Sequence, residues 1–202
     1  MIAKEYNQIK RKMKTGIFYK TRCKSPLGIL TMACDDKENL VGLWTDKHKN
    51  FDVISHLEMI TDDDRKIFAS VKKWLYLYFK GKNPSASELV LAPIGNAFRQ
   101  EVWKILCGIP YGRIVTYGAV ARKIAEKRGI NKMSARAVGG AVGHNPISII
   151  IPCHRVIAAT GNLTGYAGGI KNKIKLLHYE GINVNNLSDP DYFKEKLISE
   201  WI

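Results

Sequence analysis

The chain has no run of about 18 apolar residues, so no segment of it reads as a membrane span. None of its four cysteines, Cys23, Cys34, Cys107 and Cys153, forms a C-x-x-C pair. That excludes a zinc ribbon and a thioredoxin-type redox site, and no metal or cofactor is expected. Met1 to Lys14 is basic and polar and lacks the apolar stretch of a secretory signal. The expected location is the cytoplasm, or the nucleus in a eukaryote, where the cysteines stay reduced. Repeats and low-complexity tracts are absent. Acid is scarce: 18 Asp and Glu stand against 32 Lys and Arg, a net charge of +14 over 202 residues. Such an imbalance favours a polyanionic partner, nucleic acid or an acidic membrane surface. A solvated basic surface is the other reading of the same number.

What is present is enough apolar residue, 46%, for one large or two small domains with a true core. Leu27 to Ala33 and Leu40 to Thr45 read as two strands joined by the polar turn Asp35 to Asn39. Asp62, Asp63 and Asp64 suit a helix N-terminus, Ile67, Val71, Leu75 and Tyr78 recur at helical spacing, and Gly81 stops the helix. Asn83 to Asn96, with its prolines, serines and glycine, reads as a connection. The expected division is a small N-terminal α/β domain over residues 1–92, a mostly helical domain over 93–185, and a tail over 186–202. The tail forms an amphipathic helix after Pro190 through Phe193, Leu197 and Trp201.

The second domain reads as short helices. Phe98, Val102, Ile105, Leu106 and Ile109 mark one apolar face, ended by Pro110-Tyr-Gly112. Thr116 and Ser134 are placed as N-caps of two further helices, with Val120, Ala121, Ile124 and Ala125 inward on one and Ala137, Val138, Ala141 and Val142 on the other. A basic turn, Lys127 to Lys132, joins them. Two short helices joined in this way resemble a helix-turn-helix, whose second helix reads DNA. Arg136, Gly139, Gly140 and Gly143 fall off its core face, where a phosphate backbone could come close. Helix packing and an ordinary surface charge explain the same residues. Ile147 to Ile151 reads as a strand running into Cys153, and Lys171 to Glu180 as a helix stopped by Gly181.

Ile151-Pro-Cys-His-Arg-Val156 carries the chemistry. Only a thiolate is a strong sulfur nucleophile, and an unperturbed thiol has a pKa of about 8.5. His154 and Arg155 could lower it or take its proton. Taken bare, the pair also fits an inert buried cysteine, because chain neighbours often point apart.

Pro152-Cys153-His154-Arg155-Val156 resembles the active-site signature of the O6-alkylguanine-DNA alkyltransferases, also called methylated-DNA–protein-cysteine methyltransferases. Phe98-Arg-Gln-Glu-Val-Trp103, Ile109-Pro-Tyr-Gly112, Thr116-Tyr-Gly118, Arg136-Ala-Val-Gly139, Asn145-Pro146, Gly165-Tyr166 and Leu176-Leu-x-x-Glu180 follow in that family's order. The likeness covers about residues 95 to 182. The first half shares only a hairpin and the Tyr-Phe-x-Gly ending at Gly81. The resemblance implies an α/β N-terminal domain and a winged helix-turn-helix. It implies a monomer that binds double-stranded DNA and moves an alkyl group once, irreversibly, from O6 of guanine, or O4 of thymine, to Cys153. It makes His154 the base through a water, Glu180 its orienting carboxylate, Asn145 a brace and Tyr117 a donor to the guanine ring. Arg136 becomes the wedge that enters the duplex, on a helix whose Ala137 and Gly139 lie against the DNA. Val156, Tyr166 and Ala167 become readers of the guanine edge, largely through the main chain. Two features depart from the family pattern. Ala167 stands where many relatives have Ser, and the basic segment Lys123 to Lys132 looks long. A DNA-binding regulator without turnover and a cysteine hydrolase are the competing functions.

Overall fold

The computed structural model describes residues 16–46 and 58–198. His48 and His56, to which the sequence gives no role beyond structure, and Trp201 of the expected tail helix lie outside these described residues. The chain divides into two compact units, Met1–Gln100 with Pro146–Ser148, and Glu101–Asn145 with Ile149–Ile202.

The first unit is built on a sheet of β1 (Phe18–Ser25), β2 (Gly28–Asp35), β3 (Leu40–Thr45) and β4 (Met59–Thr61), in the order β3-β2-β1-β4. The predicted hairpin is β2 and β3, antiparallel, with Leu30 opposite Thr45 and Met32 opposite Leu43. Two strands escape the hydropathy pattern. β1 alternates basic residues with Phe18, Thr21 and Cys23, and β4 is three residues long. Phe18, Ala33, Val41 and Trp44 form one buried cluster. α1 (Lys66–Phe79) follows and buries Ile67, Phe68, Val71, Trp74, Leu75 and Tyr78, each worth roughly 1.5–3 kcal/mol if fully buried. Its first turn contains no acid. Asp62 and Asp63 instead close the preceding turn: Asp62 accepts from the Asp64 amide, and Asp63 from the Thr21 hydroxyl. The anion at the helix N-terminus is Glu38, which accepts from the Ile67 amide at 2.9 Å and pairs with Arg65 at 3.0 Å. The connection 83–96 also has structure. Leu40 donates to Val90 O and accepts from the Ala92 amide, so this stretch lines the edge of β3.

The second unit is helical: α2 (Ala97–Cys107), α3 (Tyr117–Arg128), α4 (Ala135–Gly143), α5 (Ile170–Tyr179) and α6 (Pro190–Lys196). Thr116 Oγ1 accepts from the Ala119 amide and Ser134 Oγ from the Ala137 amide, so both expected N-caps form. α3 runs to Arg128, and Gly129 in the left-handed region ends it. Lys123, Lys127 and Arg128 are therefore helical rather than turn residues, and the connection to α4 is 129–134. On α4 the buried residues are Val138, Ala141 and Val142. Ala137 is exposed, because one residue before Val138 is already a hundred degrees off the core face. Trp103 on α2 is buried and donates Nε1 to Ala141 O at 2.9 Å, which locks α2 to α4. Phe193 and Leu197 of the tail pack on Ile114, Ile157, Leu177, Ile182 and Leu187.

Ile147 to Ile151 is not a strand. Ile147 makes one isolated bridge to Leu43, and the backbone then turns through Ile149 at φ 72. A run of β-branched residues promises an extended segment, but here burial from all sides competes with strand pairing and wins. β5 (Val115–Thr116) and β6 (Val156–Ile157) pair in parallel, with Val115 opposite Val156. That pairing brings the start of α3 beside the chain that leaves Cys153.

Two glycines with similar backbones test what holds this unit. A Cβ on Gly161 (φ 80) would meet Leu187 O at 2.6 Å, whereas one on Gly129 (φ 62) meets nothing within 4 Å. Gly129→Ala should cost about 1 kcal/mol, from backbone strain alone. Gly161→Ala should cost about 2–3 kcal/mol, because a carbonyl must also move. Urea unfolding midpoints at constant slope measure both, and equal losses would show that contact with Leu187 contributes nothing.

Candidate active site

The site is assembled from the turn that follows α4. Asn145, buried at the end of that helix, donates Nδ2 to Ile151 O at 2.9 Å and to Cys153 Sγ at 3.0 Å. Its amide thus fixes the backbone of the turn and the sulfur together. Cys153, His154 and Arg155 form a single 3-10 turn leading into β6. A strand running into a turn would expose the sulfur at the edge of a cleft, but Cys153 is only 6% exposed.

His154 is fully buried, with Nε2 2.7 Å from Glu180 Oε1. Arg155, next along, turns to the same carboxylate, Nε to Oε2 at 2.8 Å and Nη2 to Oε1 at 2.9 Å. The Gly112 amide adds a bond to Oε2 at 3.2 Å. Gly112 sits at φ 70, and a Cβ there would stand 3.0 Å from Glu180 O, so Pro110-Tyr-Gly112 ends α2 in a form that only glycine allows without strain. Glu180 is the C-cap of α5, an unfavourable place for a negative charge. Buried donors hold it there.

Charge follows geometry. His154 and Arg155 hold the Glu180 carboxyl down at about 2 against the opposing effect of burial. Burial pushes His154 below its ordinary value despite Glu180, so the imidazole is neutral near pH 7 and can accept a proton. Burial pushes the Cys153 thiol up, and the Asn145 amide and the Lys173 ammonium only partly offset that. Arg155 does not lower the thiol, as its sequence position suggested, because its guanidinium is spent on Glu180. The resting sulfur is a thiol with a neutral base as its chain neighbour.

Tyr117, the first residue of α3, donates its hydroxyl to Thr164 O at 3.2 Å. Gly139 of α4 lies against its ring, since a Cβ there would be 3.7 Å from Tyr117 Cδ1. Val156 and Tyr166 are buried and Ala167 half-buried, all on the chain between Cys153 and α5. Arg136 and Ala137 are exposed on α4, away from the buried group. His144 and His178 are exposed and outside it, and His144 Nδ1 caps Gly140 O at 2.6 Å.

Residues 97–182 match the DNA-binding domain of the 6-O-methylguanine DNA methyltransferases, and residues 18–93 match the ribonuclease-like domain of the same proteins. A Methanosarcina barkeri methylated-DNA–protein-cysteine methyltransferase is 42% identical over 164 residues, 80% of this chain and 96% of that one. The Haemophilus influenzae protein of the same name is 38% identical, over 83% of this chain and 88% of its own. The crystal structure of Mycobacterium tuberculosis OGT in complex with DNA superposes with a TM-score of 0.66 at 37% identity, covering 85% of this chain and 99% of that one. The chain belongs to the 6-O-methylguanine DNA methyltransferase family.

Within this methyltransferase fold, two residues of the buried group escaped the sequence reading. Arg155 was visible as a neighbour of Cys153, but its target was not. Lys173 is fully buried and donates Nζ to Val156 O at 2.6 Å and to Thr164 O at 3.2 Å. Its signal was available: it lies three and four residues before Leu176 and Leu177, on the inward face of α5. Among the described residues no group of three or more His, Cys, Asp or Glu could hold a metal, and no helix is long and apolar enough to cross a membrane.

The depressed Glu180 carboxyl couples stability to acid. Its folded value lies below the ordinary 4.5, so its contribution is complete above about 4.5 and is lost as pH falls toward about 2. Glu180→Gln should lack that part of the acid dependence. At pH 7 it should be about 3–5 kcal/mol less stable, because Arg155 is left buried without its counter-charge. Urea unfolding free energies at pH 7, 4.5 and 3 compare the two, and parallel profiles would show that Glu180 is not the group that titrates.

Proposed function

We propose that the protein reverses alkylation damage in double-stranded DNA, taking the alkyl group from O6 of guanine, and from O4 of thymine, onto Cys153 in a single irreversible turnover. The observation that carries this reading is the buried sulfur held by Asn145, in one turn with an imidazole fixed by Glu180. Support comes from membership of a family whose named members are methylated-DNA–protein-cysteine methyltransferases. The crystallised relative bound to DNA supports the partner.

In this reading the Cys153 proton passes through a water to His154, and Glu180 stabilises the imidazolium that forms. The sulfur attacks the alkyl carbon, forming the S–C bond as the C–O6 bond breaks. The C–O6 electron pair stays with guanine, and hydrogen bonding from Tyr117 to the ring helps it leave as a protonated, neutral base. Tyr117 must first give up Thr164 O, its partner here. Val156, Tyr166 and Ala167 read the guanine edge, mainly by backbone groups, which tolerates alanine at 167. A base inside a stacked duplex cannot reach a buried sulfur, so the nucleotide must flip. Exposed Arg136 fills the place it leaves, with Ala137 and Gly139 allowing close approach. The thioether on Cys153 is stable, so one chain repairs one lesion. Residues 1–92 and 93–185 act as two domains with a 186–202 tail. The protein works as a monomer in the compartment that holds the DNA, the cytoplasm or a eukaryotic nucleus.

Incubation with O6-benzylguanine followed by intact mass tests the reaction. One benzyl group per chain is expected on the wild type and none on Cys153→Ser, while DNA binding stays near wild type. A pure DNA binder gains nothing, and a hydrolase turns over without staying modified; either result overturns the proposal.

Arg136→Ala separates flipping from chemistry. Repair of a lesion in duplex DNA should fall by at least tenfold, while reaction with free benzylguanine stays within about twofold, because the free base needs no flipping. Single-turnover rates on both substrates measure this, and equal losses would place Arg136 in the pocket.

A further inference from the structure

Outside the buried group, the first unit holds an open cavity of about 400 Å³ between the end of β1 and the C-terminal half of α1. We infer that this cavity is a second nucleic-acid contact, a site for one nucleotide of single-stranded DNA, with the base against Tyr76 and the phosphates on Lys24, Lys72 and Lys80. The inference goes beyond the alkyl-transfer reading and does not depend on it.

It begins from a stripe on α1. Trp74 and Tyr78 are buried and stacked, with ring centroids 5.5 Å apart. Tyr76 lies two residues from each, about 200° round the helix, and so points outward. It is 62% exposed. Lys72 lies four residues before it and Lys80 four after, which places all three on one face. The Lys80 ammonium stands 5.8 Å from the centre of the Tyr76 ring. An aromatic ring between two cations is the arrangement that holds an unpaired base and its phosphates together.

The cavity completes that stripe. Its floor is apolar: Leu75 is buried, and Phe79 and Cys23 are half-buried. Burial pushes the Cys23 thiol up and Lys72 opposes that, so the floor stays neutral with an ammonium beside it. Lys24, at the end of β1, closes the rim from the sheet side. No residue lining the cavity is acidic. Among the described residues none of the three lysines forms an ion pair. Three cations around one opening repel one another, and a phosphate relieves that repulsion. The negative end of α1 is nearby, but its carbonyls are already occupied. Tyr76 O and Leu77 O accept from the Lys80 amide, and Tyr78 O accepts from the Gly81 amide.

The shape selects among polyanions. A free phosphate would use the lysines and leave the tyrosine idle. A bilayer surface is met by cations lying in one plane, whereas these surround a hollow. In a duplex the bases are stacked on one another, so only an unpaired base presents a face to Tyr76. Stacking of this kind is indifferent to sequence, as a protein that meets lesions anywhere requires.

The probe is a fluorescein-labelled single-stranded oligothymidylate of about ten nucleotides that carries a 5-iododeoxyuridine. Its affinity for the full chain, read by anisotropy, should fall at least roughly fivefold in Tyr76→Ala and stay within about twofold in Tyr76→Phe, which keeps the ring. Lys24→Gln combined with Lys72→Gln should lower the slope of log affinity against log salt by about 1.4, at about 0.7 per lost phosphate contact. Illumination should crosslink the oligonucleotide to the peptide that holds Tyr76 and Phe79. Benzylguanine should label Cys153 at the wild-type rate in every variant, so a failure here is distinct from a failure of the alkyl-transfer reading. Absence of binding, binding that these substitutions leave unchanged, or crosslinks confined to the second unit would each overturn the proposal. Weakening by the lysine pair but not by Tyr76→Ala would overturn it too, since only a basic surface would remain. Phosphatidylserine vesicles that lose binding in the lysine pair, with oligonucleotide affinity unmoved, would make the face a membrane contact instead.

Discussion

The buried Glu180 carboxylate is the point on which the second unit depends. It caps α5, where the helix dipole opposes it, and it lies almost out of water, where a charge is costly. Four hydrogen bonds from three residues make it tolerable. His154 ties it to the turn that carries the sulfur, Arg155 to the start of β6 and to Ile109 O, and the Gly112 amide to the end of α2. Two stretches far apart in sequence, 109–112 and 154–156, are thereby fixed relative to one group. The same contacts decide chemistry, because a neutral His154 with one nitrogen held by an anion has its orientation set.

Burial also reverses the simplest expectation for the nucleophile. An exposed cysteine next to a histidine and an arginine should be a thiolate in waiting. Here the arginine is spent on the carboxylate and the thiol is pushed up by its surroundings. A sulfur that stays protonated at rest reacts slowly with solvent-borne electrophiles and oxidants. In the alkyl-transfer reading the residue is used once, and that reticence is useful: the anion forms only when a base and a bound substrate coincide.

Much of the architecture was legible in the residues. Thr116 and Ser134 announced their caps, and Gly81 and Gly181 marked helix ends by their left-handed backbones. Side chains that answer to distant partners were not legible. Glu38 supplies the anion for α1 from a turn about thirty residues away, while Asp62 caps its own turn and Asp63 accepts from Thr21 on β1. Ile147 to Ile151 is strand-like in composition, yet pairs only once and then turns at Ile149. β1 was hidden because three of its eight residues are basic, with Arg22 and Lys24 exposed. In the site, adjacency suggested that Cys153, His154 and Arg155 act on one another directly, whereas two of the three turn to Glu180, 26 and 25 residues on.

Lys173 shows why such a residue is hard to read in advance. A lysine in an apolar register looks like an error of pattern, and pattern-based reasoning assigns it to the surface. Its place makes sense only when charge is counted over the whole buried group. Glu180 and Arg155 balance, His154 is neutral, and one ammonium remains beside one ionisable sulfur. A core that needed only volume would have placed an aliphatic side chain there. The carbonyls of Val156 and Thr164 anchor the lysine without neutralising its charge.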